Sequence, residues 1–347
     1  MWKGKLFCYT IFSMKHADCQ TALPSLFSWK NFWDLWCIVS VAGIWPRFIE
    51  PFLLSTTKID LPIKNLPKDL SGLKLLHLTD LHFHASMKPQ FLHKILSTIE
   101  SLSPDLILFT GDFLCHSRLE AAEQLRTFLS RMKTPYGCYA VLGNHDYQQY
   151  VSINTVGDYD VMLPPTARFM PNGFKRLFPI PQITGNSSPR ILAGIQFHEK
   201  LRELLEDTPF QLLNNKCIQI PIKGSLLNVC GLEDYTARRM EPQTAFSSYD
   251  SRYPGVVLVH NPDAFPALKN YPGELVLCGH THGAQVNLPF LRHRLTLMEN
   301  PHWLRGLFQM EEKWMYVNRG VGATMDFRWF SRPEICVITL REKSWGI

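Results

Sequence analysis

No Cys-x-x-Cys pair occurs in this chain, so a structural zinc site of the usual spacing has no scaffold. The nine cysteines are odd in number and scattered. Each reads as a small buried hydrophobe, and together they fit a reduced, cytosol-facing compartment. Long charge runs are missing as well: 36 Lys and Arg face 30 Asp and Glu, yet the basic residues never gather into a block of five or six. With no interleaved basic and aromatic run either, nothing is built to track a nucleic-acid backbone, and no nucleic-acid partner is expected. The mild positive surplus suits a solvated surface, an anionic membrane or an anionic substrate, and no obligate protein partner is indicated.

A membrane span of full length is also absent from the uncharged residues. The stretch from Leu35 to Trp45 holds 11, against the roughly 20 that a helix needs to cross a bilayer. Trp29, Trp33, Trp36 and Trp45 bracket it, with Lys30 and Arg47 just outside. Indole rings favour the headgroup layer, so the segment reads as a monotopic or shallowly inserted anchor, with a full span or a core-packed helix as alternatives. A cleaved signal peptide is not expected, because the apolar run starts late and has no small-residue cleavage site. Residues 1–57 are therefore set apart as an anchoring segment and residues 58–347 as the main domain.

In the main domain, apolar runs of strand length recur at 73–78, 106–109, 139–142, 226–229, 256–259, 275–277, 315–317 and 335–340. Helical periodicity lies between several of them, as in Leu125, Phe128, Leu129 and Met132, with a capping box expected at Ser117 and Glu120. The alternation predicts an α/β fold around a large buried sheet. A polar motif follows five of the strands: Thr79–His84 (TDLHFH), Thr110–Leu114 (TGDFL), Gly143–Asp146 (GNHD), His260–Asp263 (HNPD) and Gly279–His282 (GHTH). Ligands of α/β sheets sit beyond the carboxyl ends of strands, so the five motifs converge on one place.

The convergent set is Asp80, His82, Asp112, Asn144, His260, His280 and His282. Carboxylates, imidazoles and an amide oxygen without any thiolate suit Mn²⁺ first, with Zn²⁺, Fe or Mg²⁺ as alternatives. Seven donors exceed what one ion takes from protein. Shared through a bridging carboxylate, they divide into two sites at the spacing of about 3.5–4 Å used by two-metal hydrolases.

The ordered motifs D-x-H, G-D, G-N-H-D, H and G-H-x-H resemble those of the calcineurin-like metallophosphoesterase family over about residues 58–340. The resemblance implies a four-layer α/β/β/α sandwich with a membrane-associated helix ahead of it. It implies that Asp80, His82 and His282 hold one metal, that Asn144, His260 and His280 hold the other, and that Asp112 bridges them. His145 would be the catalytic histidine and Asp146 its orienting partner. The chain departs from the pattern at Cys115, where the family's G-D-x-x-D has its last Asp, and at Ala284, where a glycine is frequent.

The motifs set the chemistry and leave the ester open. Residues 150–189 insert apolar and basic side chains beside the motifs, Phe169 and Phe174 among them, and read as a lid or lipid-docking insertion, or as one packed on the core. An anchored phosphoesterase with such an insertion is similar to the UDP-2,3-diacylglucosamine pyrophosphatases of lipid A synthesis. That similarity implies a UDP-linked acylated sugar lipid as substrate, a membrane surface as partner, and an inner-membrane site with the catalytic domain facing the cytoplasm. Arg238, Arg239 and Arg319 are candidates for the pyrophosphate or uridine. His77, His84 and His116 are given no role.

Overall fold

The computed structural model describes residues 29–163, 181–289 and 291–343. Two compact units emerge, Met1–Ala42 and Gly43–Ile347. In the first, α1 (Trp29–Val39) exposes Phe32, Trp33, Leu35, Trp36 and Ile38. Helical backbone continues into the second unit, and by length and composition the 21 residues Phe32–Phe52 suffice to cross a membrane. Residues 43–57, expected to lie with the anchor, belong to the larger unit, where Pro46 and Glu50 are buried.

The larger unit carries β1 (Ser55–Ile63), β2 (Lys74–Leu78), β3 (Leu106–Phe109), β4 (Cys138–Ala140), β5 (Val151–Ile153), β6 (Tyr159–Val161) and β7 (Phe210–Leu212). They are followed by β8 (Lys216–Ile222), β9 (Ser225–Gly231), β10 (Gly255–Leu258), β11 (Leu275–Cys278), β12 (Gly306–Met310), β13 (Lys313–Val317) and β14 (Glu334–Glu342). Two six-stranded sheets result, ordered β1-β14-β2-β3-β4-β7 and β12-β13-β11-β10-β9-β8, with β5 and β6 forming a separate hairpin.

Period-2 alternation of apolar residues explains the layering. Leu106 and Leu108 of β3 pack in one cluster with Val256 and Leu258 of β10 and Leu275 and Leu277 of β11, so the sheets meet face to face. The intervening residues Ile107 and Phe109 point the other way, onto α2 (Pro89–Leu102), α3 (Ala122–Ser130) and α4 (Glu199–Glu206). On the second sheet Val257, Val276 and Cys278 face outward onto Phe246, Phe265 and Leu268. Helix, sheet, sheet, helix is the four-layer order expected from the motifs. A run such as LILF, buried on both faces, is apolar throughout, as sandwiched strands must be.

Two local expectations fail. The Ser117–Glu120 capping box does not form: α3 starts after Ala121, and Glu120 Oε2 accepts from the Ala85 amide at 3.3 Å. Cys217 and Cys230 are not isolated hydrophobes either. They face each other across antiparallel β8 and β9 and are joined as a disulfide. Of the insertion, Val151, Ile153 and Tyr159 are buried in the domain. Phe169 and Phe174 lie outside the described residues.

Candidate metal centre

Each motif sits at the carboxyl end of a parallel strand: Asp80 follows β2, Asp112 follows β3, Asn144 and His145 follow β4, His260 follows β10 and His280 follows β11. The side chains meet in three overlapping groups of ligand atoms: Asp80, His82 and His282; His82, Asp112 and His145; Asp112, His260 and His280. Five of the seven candidates hold left-handed backbones, with φ of +52° at Asp80, +44° at His82, +62° at Asp112, +71° at His280 and +52° at His282. Such φ values are uncommon outside glycine and cost about 1–3 kcal/mol each where they are strained. Their concentration here marks backbone shaped to aim side chains.

Asp112 lies between the groups. Its Oδ2 is 3.4 Å from His82 Nε2 and 3.2 Å from His260 Nε2, while Oδ1 accepts from the His145 amide at 2.9 Å. The outer ring nitrogens settle the tautomers. His82 Nδ1 lies 3.1 Å from Leu114 O and His260 Nδ1 lies 2.6 Å from Thr110 O. Carbonyls only accept, so Nδ1 carries hydrogen in both rings and Nε2 turns inward. Asn144 donates Nδ2–H to Val151 O at 2.7 Å, which leaves Oδ1 facing His280 Nδ1 at 3.0 Å. His82 Nε2 and His282 Nε2 are 3.0 Å apart. Inward nitrogens that close need a proton or a cation between them, and the mixed N,O donor set fits a divalent ion.

Charge inside this buried cluster is unbalanced. Burial opposes protonation of His260, but the charges of Asp112, Asp80 and Asp234 push it up to about 10. Burial drives His77 and His282 down to about 3 and His280 to about 4. The last three bind protons more readily when unfolded, so their contribution to stability is complete above about pH 6.5 and is lost as pH falls toward 4. His260 has the opposite sign, its contribution present below about 6.5 and lost as pH rises through 10, and so has Asp146, which burial and Asp112 push up to about 7. The three histidines outnumber Asp146 between pH 5 and 7. Chelator-treated protein is therefore expected to unfold at lower urea at pH 5 than at pH 7, monitored by near-UV circular dichroism. A midpoint that stays level or rises at pH 5 rules this out.

His145 is oriented in a way the motif did not announce. The His116 amide donates to its Nδ1 at 2.9 Å, so the neutral ring carries hydrogen on Nε2, which lies 3.9 Å from Asp112 Oδ2. Asp146, expected to orient that ring, instead accepts from the amides of Asp112 at 2.7 Å, Leu114 at 2.9 Å and Gly143 at 3.0 Å. It fastens the loop after β3 to the loop after β4. Cys115, at the place of the missing Asp, is buried with its Sγ 3.2 Å from His116 Nδ1.

The candidate arginines are committed to other contacts. Arg319 pairs with Glu334 through Nε at 3.1 Å and donates to Ser55 Oγ at 3.0 Å. Arg238 stacks on Tyr159 and Tyr235, and Arg239 pairs with Glu233 and lies 4.2 Å over Phe197. With Ile191, Leu192, Glu233 and Glu241, the latter two arginines line a cleft of about 240 Å³.

Two residues escaped the sequence reading. Asp234 lies three residues beyond the end of β9 and is fully buried beside His260; Oδ1 accepts from the Ala237 amide at 2.8 Å and Oδ2 has no protein partner. Arg328, fully buried, donates to the carbonyls of Ser331, Arg319, Gly320 and Gly322 and approaches His282 Nδ1 at 3.4 Å. The amide of Gly322 binds Asp80 O at 2.7 Å, so Arg328 braces the turn on which Asp80 rests.

Comparison with known proteins agrees with this geometry. The calcineurin-like phosphoesterase profile matches residues 73–284, a range that holds all five motifs. The chain belongs to the calcineurin-like phosphoesterase family. It is a hydrolase acting on phosphorus-containing bonds, and the family works with a dinuclear divalent metal site. The phosphoesterase is 37% identical over 309 residues to the UDP-2,3-diacylglucosamine pyrophosphatase LpxG of Chlamydia muridarum, across 85% of this chain and 92% of that protein. It is 36% identical over 307 residues to LpxG of Chlamydia trachomatis, with the same coverage. Phosphodiesterase YaeI of Escherichia coli is 24% identical over 267 residues, across 77% of this chain and 82% of that protein.

Proposed function

We propose that the phosphoesterase hydrolyses UDP-2,3-diacylglucosamine to UMP and 2,3-diacylglucosamine 1-phosphate, from the cytoplasmic face of the inner membrane. Identity of 36–37% over most of both chains to two pyrophosphatases of that specificity carries the reading. In it, Asp80, His82 and His282 hold one ion, Asn144, His260 and His280 hold the other, and Asp112 bridges. Two divalent ions held by these residues, with Mn²⁺ the preferred pair, would supply neutralising charge to phosphoryl oxygens and a water of lowered pKa at neutral pH. The protein's own part is positional. Asp112 and the inward Nε2 atoms fix where the phosphorus sits, and His145 Nε2–H donates a hydrogen bond to a phosphoryl or leaving-group oxygen.

Among the described residues, Arg238, Arg239 and Arg319 are committed to other contacts, and that favours a second reading. In it the enzyme cleaves another lipid or envelope phosphodiester. Detergent-solubilised enzyme with Mn²⁺ and UDP-2,3-diacylglucosamine is expected to release UMP, and a chelator is expected to stop it. No UMP, beside brisk cleavage of an aryl phosphodiester, would leave the second reading standing.

A further inference from the structure

Trp45, Phe48, Ile49 and Phe330 leave large apolar surface in water, Phe48 being 62% and Phe330 54% exposed. All four belong to the Gly43–Ile347 unit. Phe330 is far from the other three in sequence, and one buried carboxylate joins it to Trp45. Glu50 Oε2 accepts from Trp45 Nε1 at 2.7 Å and from the Phe330 amide at 3.0 Å, and Oε1 accepts from the Ser331 amide at 2.6 Å. The Arg328 amide donates to Pro46 O at 2.8 Å, and Arg47 Nη1 donates to Asp326 O at 2.9 Å. Residues 45–50 and the loop 326–331 therefore form a single surface.

Phe330 is displayed deliberately. Its φ is +56°, a region bulky side chains avoid. Glu50 holds its N–H, while Asn287 Nδ2 at 3.2 Å and Arg305 Nη1 at 3.1 Å hold its C=O. Backbone fastened on both sides in an unfavourable conformation ends in a phenyl ring turned to solvent. A ring left at the surface by chance would not need such support.

Three cations border this face. Arg47 lies 5.3 Å over the Phe48 ring, Lys88 lies 4.1 Å over Phe52, and Arg332 Nε donates to Leu53 O at 3.1 Å. The neighbouring acids are engaged: Glu50 is filled by three donors, and Asp326 faces Arg47. Aromatic rings within a basic collar match a headgroup layer in both polarity and charge. Position along the chain agrees, since the apolar stretch Phe32–Phe52 includes residues 45–50 of this face. Residues 46–50 are hydrogen-bonded to the loop 326–331, as an end of a helix at headgroup depth would be, since polar backbone contacts of this kind are excluded from hydrocarbon.

The geometry points to this face as a membrane-contacting surface of the catalytic unit, seated in an anionic phospholipid headgroup layer. Its loop adjoins the centre: Ser331 Oγ donates to His282 O at 2.6 Å, and Asp326 Oδ1 is 3.5 Å from His84 Nε2. The metal cluster thus lies beside the bilayer surface, where any lipid-borne phosphate is presented. The assignment does not rest on the UDP-lipid being the substrate.

The test uses the full chain in vesicles of phosphatidylethanolamine and phosphatidylglycerol, with p-benzoylphenylalanine in place of Phe330 or, separately, Phe48. Metal content serves as the check on folding. Irradiation is expected to yield phospholipid adducts at both positions. At Arg252, which precedes β10 at the end of the strands away from the cluster, the expected yield is roughly a tenth or less. Replacing phosphatidylglycerol with phosphatidylcholine is expected to lower the yield at position 330 by about fivefold or more. A chain-to-chain adduct at 330 would make the face a self-association surface and overturn the assignment. A lipid yield no higher than at 252, while the same probe at Trp36 reacts, would overturn it as well, and so would a yield indifferent to lipid charge.

Discussion

His145→Ala is expected to lower turnover by about 10²–10⁴-fold while two ions per chain stay bound. The substitution keeps the backbone N–H that donates to Asp112 Oδ1, and costs the His116 amide its ring acceptor. It removes only the ring, whose Nε2–H points toward the cluster because the His116 amide occupies Nδ1. Burial holds the ring well below the usual histidine range, against the pull of Asp112. The ring is therefore neutral from about pH 6 to 9, acts as a hydrogen-bond donor, and gives kcat no acid limb near 6.5. The deficit of the variant should be constant across that range and smaller for aryl esters, whose leaving groups need less stabilisation. Metal analysis beside single-turnover kinetics checks this. If the metals left along with activity, His145 would be structural.

The sequence revealed the centre more fully than the fold. Strands such as Leu106–Phe109 are apolar throughout because both faces are covered, and the motif after each strand identified the seven convergent residues. The four edge strands β1, β7, β8 and β12 were not recognised, nor was the β5–β6 hairpin; polar faces break up the apolar signal, as the exposed and half-exposed alternation of Ser55–Asp60 shows. Asp234 was within reach, since the strand-end rule that found Asp80 and Asp112 applies equally after β9. Arg328 was not. Nothing in its loop predicts that a guanidinium will be buried among four carbonyls, because those carbonyls converge only when β13 and β14 are in place. The orienting partner of His145 was missed for a related reason: it is a backbone amide, and amides leave no mark on a sequence.

Asp112→Asn should separate a shared ligand from an ordinary one. The Asp112 carboxylate lies against imidazoles of both halves of the cluster, with Oδ2 near His82 on one side and His260 on the other. With Asp80 and Asp234, its charge also favours the protonated form of His260 in the metal-free protein against the cost of burial. An amide of the same shape keeps an oxygen for the His145 N–H but brings no charge and, at the second position, turns N–H donors toward the two Nε2 atoms or toward any cation. Both sites therefore weaken together. The expected outcome is fewer than about one ion per chain and turnover down by about 10⁴-fold or more, on the scale of a lost metal site. His282→Ala, which removes a donor from the Asp80 group alone, should leave about one ion per chain, held by Asn144, His260 and His280. Inductively coupled plasma mass spectrometry on both variants, after dialysis against buffer with trace Mn²⁺, distinguishes the two losses. Retention of two ions by Asp112→Asn would remove Asp112 from the bridging position and require another group to join the halves.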